Sequence, residues 1–402
     1  MATTALALAA TLPAAPTAAA DSDQCTFSPA NHKYAGTPWA LQRVNLDELW
    51  SQSKGKGVRV AVIDTGVDTA HPQLTGAVDA SLGANLLPSK DKKGQPIDRG
   101  NAKGTTDTVG HGTRVAGIIA ARPMKGTGFV GLAPEATIIP IKQNDADGNG
   151  TARTLADAIR HAIRKKADVI NISQDTADAA KPDEDLQRAV DEALAARIVV
   201  VASAGNGGLN GASKKTYPAS YPGVLAVAAS DRNNERAAFS QSGDFVGVAA
   251  PGVDMISTVP KGGHCSDNGT SFSAPYVAGV AALIKAKHRD WTPREIVAQI
   301  EQTAERSIAG HDRLVGWGVV DPVRALTEDD HPIESPTPDP GLTHAEAPAP
   351  AELTLGETPR ERTARIATYV AVGVTVVVAA LSGGAVALRD ARRRRRTTGS
   401  RG

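Results

Sequence analysis

Three side chains that together could perform nucleophilic catalysis stand in glycine-flanked positions of the 402-residue sequence. Asp64 ends an apolar run, His111 lies between Gly110 and Gly112, and Ser271 precedes a long apolar stretch. A serine hydroxyl is a poor nucleophile until a base removes its proton, and the base needs a carboxylate to fix its tautomer. These residue types therefore predict an Asp/His/Ser catalytic triad.

Each residue of this triad also has an ordinary structural explanation when it is taken alone. Asp64 could be a turn residue, His111 a surface histidine before a helix, and Ser271 a helix N-cap. The three residue types occur together in rigid, glycine-flanked settings, and that combination favours catalysis over three unrelated structural roles.

Short apolar runs alternate with helical patterns in the part of the chain that carries these residues. The predicted strands are Val58–Ile63, Thr137–Ile141, Asp168–Ile172, Ile198–Ala202 and Val224–Ala228. Between them, Thr154–Lys166 and Glu184–Ala196 have the periodicity of amphipathic helices. Continuous apolar strands separated by helices predict an α/β fold with a mainly parallel sheet that is buried on both faces. Because ligands bind such sheets at the carboxyl ends of the strands, catalytic groups are expected there.

Two of the three residues are predicted at the beginning of a helix. The apolar run Val115–Ala120 after His111 predicts a buried helix, and a second apolar helix follows Ser271 to about Lys287. Pro275 is expected near the first turn of the second helix, where a missing N–H costs least. The backbone N–H groups and the dipole at such a helix start favour a developing oxyanion.

Three strings of the sequence resemble the signature motifs of the subtilase family, in the subtilisin order Asp, His, Ser. They are Val62–Val67 (VIDTGV), His111–Gly117 (HGTRVAG) and Gly269–Pro275 (GTSFSAP). The resemblance covers about residues 40 to 326. It implies a subtilisin-like three-layer fold and a serine endopeptidase with Asp64, His111 and Ser271 as its catalytic residues.

The family also uses an asparagine side chain in its oxyanion hole. Asn206, just after a predicted strand, matches that residue, so the resemblance implies that it binds the oxyanion together with the Ser271 N–H. The sequence departs from the family at Gln174 and Asp175, where many subtilases have an apolar residue and Gly after the serine of the substrate-lining strand. Substrate strands pair with this backbone, so specificity stays open.

Two further histidines and an acidic run are predicted to have no catalytic role. His71 resembles a family turn residue, and His264 is predicted in a loop because one triad needs one base. Many subtilases bind calcium in loops, and the acidic run Asp145–Gly150 could do so. It lacks the spacing and closing Glu of a helix-loop-helix calcium site, so a solvated turn is favoured and no metal or cofactor is predicted.

Composition limits the remaining function classes. Hydrophobic residues make up 41% and charged residues 22% of the chain, which is ordinary for a globular protein. The formal net charge of +1 gives no whole-molecule case for nucleic-acid binding.

The N-terminal residues carry two signs of export. Residues 1–20 are predicted to be a signal peptide without its usual basic start, because Ala5–Ala20 is small and apolar and ends in an A-x-A pattern. The alternative is a disordered Ala-rich tail. If the chain is exported, Cys25 and Cys265 are predicted to form a disulfide; otherwise they are two unrelated buried thiols.

A predicted membrane anchor lies near the other end. Ile366–Leu388 contains no charged residue and would span roughly 34 Å as a helix, enough for a bilayer core. Residues 327–365 are rich in Pro and acidic residues and predict an extended linker. The arginine run Arg392–Arg396, within the tail 389–402, marks the cytoplasmic side rather than a nucleic-acid site.

This architecture resembles the mycosins, which are membrane-anchored subtilases associated with type VII secretion. Residues 21–50 are similar to the mycosin N-terminal extension, and residues 51–326 are the predicted peptidase domain. The resemblance implies an extracytoplasmic endopeptidase that cleaves a few secreted polypeptides near a type VII complex. The alternatives are a structural stabiliser of that complex with secondary proteolysis, and a general cell-surface degradative subtilase.

Overall fold

The computed structural model describes residues 32–90, 93–96, 98–146, 149–173, 181–209, 213–339 and 357–398. Residues up to 340 belong to one compact unit and residues from 341 to a second. The predicted signal peptide, residues 21–31 of the extension and most of the linker after residue 339 lie outside the described residues.

A parallel sheet forms the centre of the first unit. Its strands are β1 (Arg59–Asp64), β2 (Ala84–Asn85), β3 (Thr137–Lys142), β4 (Val169–Ile172), β5 (Val199–Ser203), β6 (Leu225–Ser230) and β7 (Val246–Pro251). They pair in parallel in the order β2-β3-β1-β4-β5-β6-β7. All five predicted strands are therefore present, and their ends differ from the prediction by at most two residues. Strand β7 was not predicted, because Gly247 and Pro251 interrupt its strand pattern; such residues are tolerated in this edge strand.

Helices cover both faces of this sheet, as an α/β fold with three layers requires. In the first unit they are α1 (Trp39–Gln42), α2 (Leu46–Gln52), α3 (His111–Ala120), α4 (Ala152–Arg164), α5 (Glu184–Ala195), α6 (Thr270–Lys287), α7 (Pro293–Gln302) and α8 (Pro322–Thr327). One core contains side chains of α3 and α6, and a second core contains side chains of α4 and α5.

Strand β1 shows why its sequence is apolar without a break. Successive side chains of a strand point to opposite faces. Val60 and Val62 accordingly lie in the α3–α6 core, whereas Ala61 and Ile63 lie in the α4–α5 core. Both faces exclude water, so the polar Asp64 can be placed only at the carboxyl end of the strand, where the helices open to form a cleft.

Helix α6 is buried for most of its length, from Thr270 to Lys285 apart from Ser271. Pro275 lies in its second turn rather than near the first, which corrects the prediction. In an α-helix the N–H of this position would donate to the carbonyl four residues earlier. Because proline has no N–H, the carbonyl of Ser271 lacks that helical bond.

An antiparallel hairpin packs against α3. Its strands are β8 (Met255–Thr258) and β9 (His264–Asp267), and β9 ends only four residues before Ser271. The hydroxyls of Ser257 and Thr258 donate to carbonyls of α3 over 2.7 and 2.8 Å, so the hairpin fixes this helix from the side.

The residues that follow α8 remain on the surface of the first unit as far as Asp339. Arg294 Nε donates to the carbonyl of Glu334 over 2.8 Å, and the N–H of Thr337 donates to Gln302 Oε1 over 2.6 Å. The first part of the predicted linker is therefore extended and attached to α7.

The second unit contains α9 (Pro359–Thr398), which includes the predicted anchor 366–388. By length and composition, its Pro359–Arg394 portion can cross a membrane.

Candidate active site

Asp64 and His111 meet at the carboxyl end of β1. His111 is the first residue of α3, and its Nδ1 lies 2.7 Å from Asp64 Oδ1. A carboxylate can only accept, so Nδ1 carries the proton and Nε2 is left with its lone pair. Asp64 is fully buried, whereas the His111 side chain is 22% exposed. The carboxylate thus holds the tautomer that a general base needs, with Nε2 as its basic nitrogen.

Ser271 lies in the same cleft as His111. It is the second residue of α6, and the cleft, of about 430 Å³, is lined by both residues and by Asn206. The ring of Phe272, next to the serine, lies 5.4 Å from the His111 ring. Within the described residues, no hydrogen bond joins Ser271 to His111; catalytic hydrogen bonds of this kind often form only in the complex with substrate.

Asn206 follows β5 and lies beside the start of α6. Its Oδ1 accepts from the backbone N–H of Thr270 over 2.9 Å and from the Thr270 hydroxyl over 3.0 Å. Because the oxygen is held in this way, the amide Nδ2 is the group left to donate into the cleft. The arrangement can stabilise an oxyanion with two donors, Asn206 Nδ2 and the backbone N–H at the start of α6.

Two glycines allow α3 to begin so close to β1. Gly110 has φ 85°, a left-handed conformation that favours glycine. A Cβ on Gly112 would lie 2.1 Å from the carbonyl oxygen of Gly66 and 3.0 Å from Asp64 Cβ. Any larger residue at 112 would therefore separate His111 from Asp64.

The charges around His111 determine how readily it is protonated. Burial opposes the imidazolium, but the charge and hydrogen bond of Asp64 outweigh burial and raise the pKa of His111 above its ordinary value. Arg114 acts in the opposite direction and is paired with Asp267 over 2.8 Å. The cleft thus contains an ionisable base flanked by an ion pair.

Sequence reasoning missed three polar residues behind this site. Asp107 is buried and accepts hydrogen bonds from Thr65 and Thr113. An aspartate four residues before a candidate catalytic histidine was the available signal, but its partner Thr65 lies 42 residues away in the chain.

The remaining predicted residues are placed as follows. Ser173 follows β4 and lines the cleft, while Gln174 and Asp175 lie outside the described residues. His71 is buried, and its Nδ1 accepts from the N–H of Gln73 over 3.1 Å, as a structural turn residue does.

The prediction that His264 lies in a loop is wrong, because His264 is the first residue of strand β9. Its ring is buried and hydrogen-bonded on both nitrogens, to the N–H of Tyr34 over 3.1 Å and to Gln73 Oε1 over 2.7 Å. Cys265 is buried next to it. Cys25 lies outside the described residues, so their disulfide stays a prediction.

The described residues of the acidic run Asp145–Gly150, which follows β3, form a turn. Asp145 accepts from the N–H and the side-chain amide of Asn149 over 3.1 and 2.8 Å. Asp147 and Gly148 lie outside the described residues. Within the described ranges, no three His, Cys, Asp or Glu side chains are grouped to hold a metal ion.

Comparison with known proteins identifies the class to which this fold and cleft belong. Residues 55–318 match Peptidase S8, the subtilase family. The chain is also 37% identical over 292 residues to subtilisin E of Bacillus subtilis (strain 168), covering 72% of this chain and 71% of that protein. The chain therefore belongs to the subtilase family and is a serine endopeptidase with a subtilisin-like fold.

Within the subtilase family, two solved structures that are similar to this chain belong to a smaller group. The MycP3 protease from the type VII (ESX-3) secretion system is 34% identical with a TM-score of 0.62, covering 73% of this chain and 89% of that one. MycP1 from Mycobacterium smegmatis is 32% identical with a TM-score of 0.61, covering 79% and 90%. The structural neighbours of this chain thus include mycosin proteases.

Proposed function

We propose that Asp64, His111 and Ser271 are the catalytic triad of this endopeptidase and that Asn206 belongs to its oxyanion hole. The 2.7 Å contact between His111 Nδ1 and Asp64 Oδ1, at the rim of the cleft that contains Ser271, carries the proposal.

The reaction follows from these positions. Ser271 Oγ attacks the scissile carbonyl carbon while His111 Nε2 accepts the hydroxyl proton, and Asn206 Nδ2 and the Ser271 N–H bind the oxyanion. The C–N bond then breaks as His111 returns the proton to the leaving amine. Water, deprotonated by His111, hydrolyses the acyl-enzyme and regenerates Ser271.

Labelling of the full chain with a serine-directed fluorophosphonate tests this assignment. Labelling should occur and should be lost in Ser271→Ala. Asn233→Ala, in an exposed turn after β6, is the control and should label like wild type. Labelling that persists in Ser271→Ala would refute the assignment of the nucleophile.

We further propose that the enzyme is a mycosin-like, membrane-anchored protease whose catalytic unit faces the extracytoplasmic side. The similarity to MycP3 and MycP1 and the apolar helix α9 support this placement. The basic residues at the C-terminal end of the chain fit a cytoplasmic end.

In an exported catalytic unit, we propose that Cys25 and Cys265 form a disulfide. Mass mapping of unreduced peptides tests this: the peptides carrying the two cysteines should be recovered as one linked species.

The proposed substrates are a few secreted proteins cleaved near a type VII machine. Secreted fragments from cells carrying the active chain should be compared with those from cells carrying Ser271→Ala. A small set of cleavages that depends on Ser271 supports limited proteolysis. A broad loss of fragments would instead indicate a general degradative enzyme.

A structural role in the secretion complex is the second proposal. One similar structure is described as MycP1, "an essential component of the type VII (ESX-1) secretion system". Secretion should be compared between cells lacking the chain and cells producing Ser271→Ala. If the inactive protein restores secretion, the structural role dominates; if it does not, secretion depends on proteolysis.

A further inference from the structure

Asp107 is a buried carboxylate in the loop that leads to His111. Both of its oxygens are surrounded by hydrogen-bond donors from this loop and from the end of β1. The donors are Thr65 Oγ1 (2.9 Å), Val109 N (3.2 Å) and Gly110 N (2.8 Å) at Oδ1, and the N–H (2.9 Å) and hydroxyl (2.6 Å) of Thr113 at Oδ2. Burial raises the pKa of Asp107 above its ordinary value, and its hydrogen bonds to Thr113 and Gly110 oppose that rise. Three of the donors are backbone N–H groups, which can only donate, so the surroundings of both oxygens match the negatively charged form.

The Thr65 hydroxyl connects this carboxylate to both members of the catalytic pair. It donates to Asp107 and accepts from the backbone N–H of Gly112 over 3.0 Å. Thr65 directly follows Asp64, and Gly112 directly follows His111. The backbone neighbours of the pair are therefore joined through one hydroxyl, and Asp107 fixes the direction in which that hydroxyl donates.

We propose that Asp107 is a positioning residue, which holds the start of α3 against the end of β1 so that His111 Nδ1 stays within hydrogen-bonding distance of Asp64. This inference rests on the proposed triad. It adds to the triad a residue that positions His111 without touching the substrate. Asp107 acts through Thr65 and the first turn of α3, and it has no role in binding the substrate.

The charge of Asp107 also acts on His111. The charged groups facing the imidazole are Asp64 at the end of β1, Asp107 in the loop, and Arg114 on α3 with its partner Asp267 on β9. Lys142 on β3 lies behind them and donates to the carbonyls of Thr65 and Thr106 over 2.7 and 3.2 Å. Asp64 raises the pKa of His111 most, and Asp107 adds to it. Removing the Asp107 charge should therefore make His111 easier to deprotonate, an effect that a purely structural role would not produce.

The test compares Asp107→Asn with Asp321→Asn in the full chain. Asp321 also accepts backbone N–H groups at a helix start, from Val323 over 2.9 Å and Arg324 over 3.1 Å, but it caps α8 away from the cleft. We expect Asp107→Asn to lower kcat by about 10- to 100-fold through misplacement of the base. Its KM should change by less than about threefold, because no substrate contact is lost. The acid limb of its kcat/KM profile should move to lower pH, while Asp321→Asn should match wild type.

The inference is overturned if Asp107→Asn keeps wild-type kcat, or if its activity falls only in proportion to folded protein with the acid limb unmoved. If Asp107→Asn does not fold, Thr65→Val removes the connecting hydroxyl and Thr65→Ser keeps it. A kcat loss in the first that is recovered in the second supports the role, and equal activity of the two overturns it. Activity that survives Ser271→Ala would instead refute the proposed triad, so the two failures are distinguishable.

Discussion

The side-chain oxygen of Asn206 is bound by Thr270, the residue that precedes Ser271, through both its backbone N–H and its hydroxyl. A single threonine therefore fixes the amide orientation of Asn206 at the start of α6. The two proposed oxyanion donors, Asn206 Nδ2 and the Ser271 N–H, are set relative to each other before substrate arrives. Such preorganised donors stabilise a developing charge without reorganisation.

Replacing Asn206 by Leu should lower kcat by about 10²–10³, the loss known for the corresponding donor in subtilisin, with little change in KM. The donor is used mainly in the transition state, so substrate binding should be almost unaffected. Steady-state kinetics on a peptide substrate measure this effect. Asn233→Leu, in an exposed turn, is the matched control, and equal activity of the two variants would exclude the oxyanion role.

The pH dependence of kcat/KM should report the state of His111. The general base must be neutral, so activity is lost as pH falls through its pKa. Burial alone would lower this pKa, but Asp64 raises it, so the acid limb should be centred above the ordinary value of about 6.5. In Asp64→Asn the acid limb of the kcat/KM profile should move to lower pH. The kcat should fall by about 10⁴, because the tautomer of His111 is no longer fixed. A limb centred below 6.5 in wild type would contradict the geometry.

Sequence patterns predicted the parts of this site that sit on strongly apolar elements. Asp64 ends a continuous apolar strand and His111 begins a helix with an apolar run, so these apolar runs predicted the positions of both. The position of His264 was not predictable in this way, because the β9 sequence His-Cys-Ser-Asp has no alternation of apolar and polar residues. The hydrogen bond from Thr65 to Asp107 was not predictable either, since the two residues are 42 positions apart in the chain and only the folded sheet brings them together.

Glu301, near the end of α7, should make the protein more stable in acid. Its carboxylate lies against β7, where a Cβ on Gly247 would be 2.9 Å from Oε1. Burial raises the pKa of Glu301 to about 7, although the charge of Arg306 opposes this. The folded chain therefore keeps a proton that the unfolded chain loses, and stability should fall as pH rises from about 4.5 to 7, by up to about 3 kcal/mol.

Glu301→Gln should remove this loss, since the amide does not ionise. Denaturant unfolding at pH 5 and pH 8, carried out on a Ser271→Ala background to prevent self-cleavage, should show a smaller pH effect in Glu301→Gln than in its parent. Glu184→Gln is the control, because that side chain is 97% exposed. An unchanged pH effect in Glu301→Gln would show that the carboxylate is ionised in the folded protein.

His264 should make the protein less stable in acid, which is the opposite of the effect of Glu301. It does so through a hydrogen bond with Tyr34 in the N-terminal segment. The N–H of Tyr34 donates to His264 Nδ1, so Nε2 carries the only ring proton and donates to Gln73 Oε1. Burial, together with a smaller contribution from the nearby His71, lowers the pKa of His264 to about 4. A second ring proton would point at the Tyr34 N–H and break that hydrogen bond.

The folded-state pKa of His264 lies below the ordinary value, so its contribution to stability is complete above about pH 6.5 and is lost as pH falls towards 4, by up to about 3 kcal/mol. We expect His264→Gln, in the Ser271→Ala background, to be less stable than its parent at pH 7 but to lose less stability between pH 7 and pH 4.5. His331→Gln, at an exposed histidine after α8, should behave like the parent at both pH values. Equal losses in His264→Gln and the parent would mean that the imidazole at 264 is protonated in the folded chain, and that the Tyr34 hydrogen bond does not depend on its neutral form.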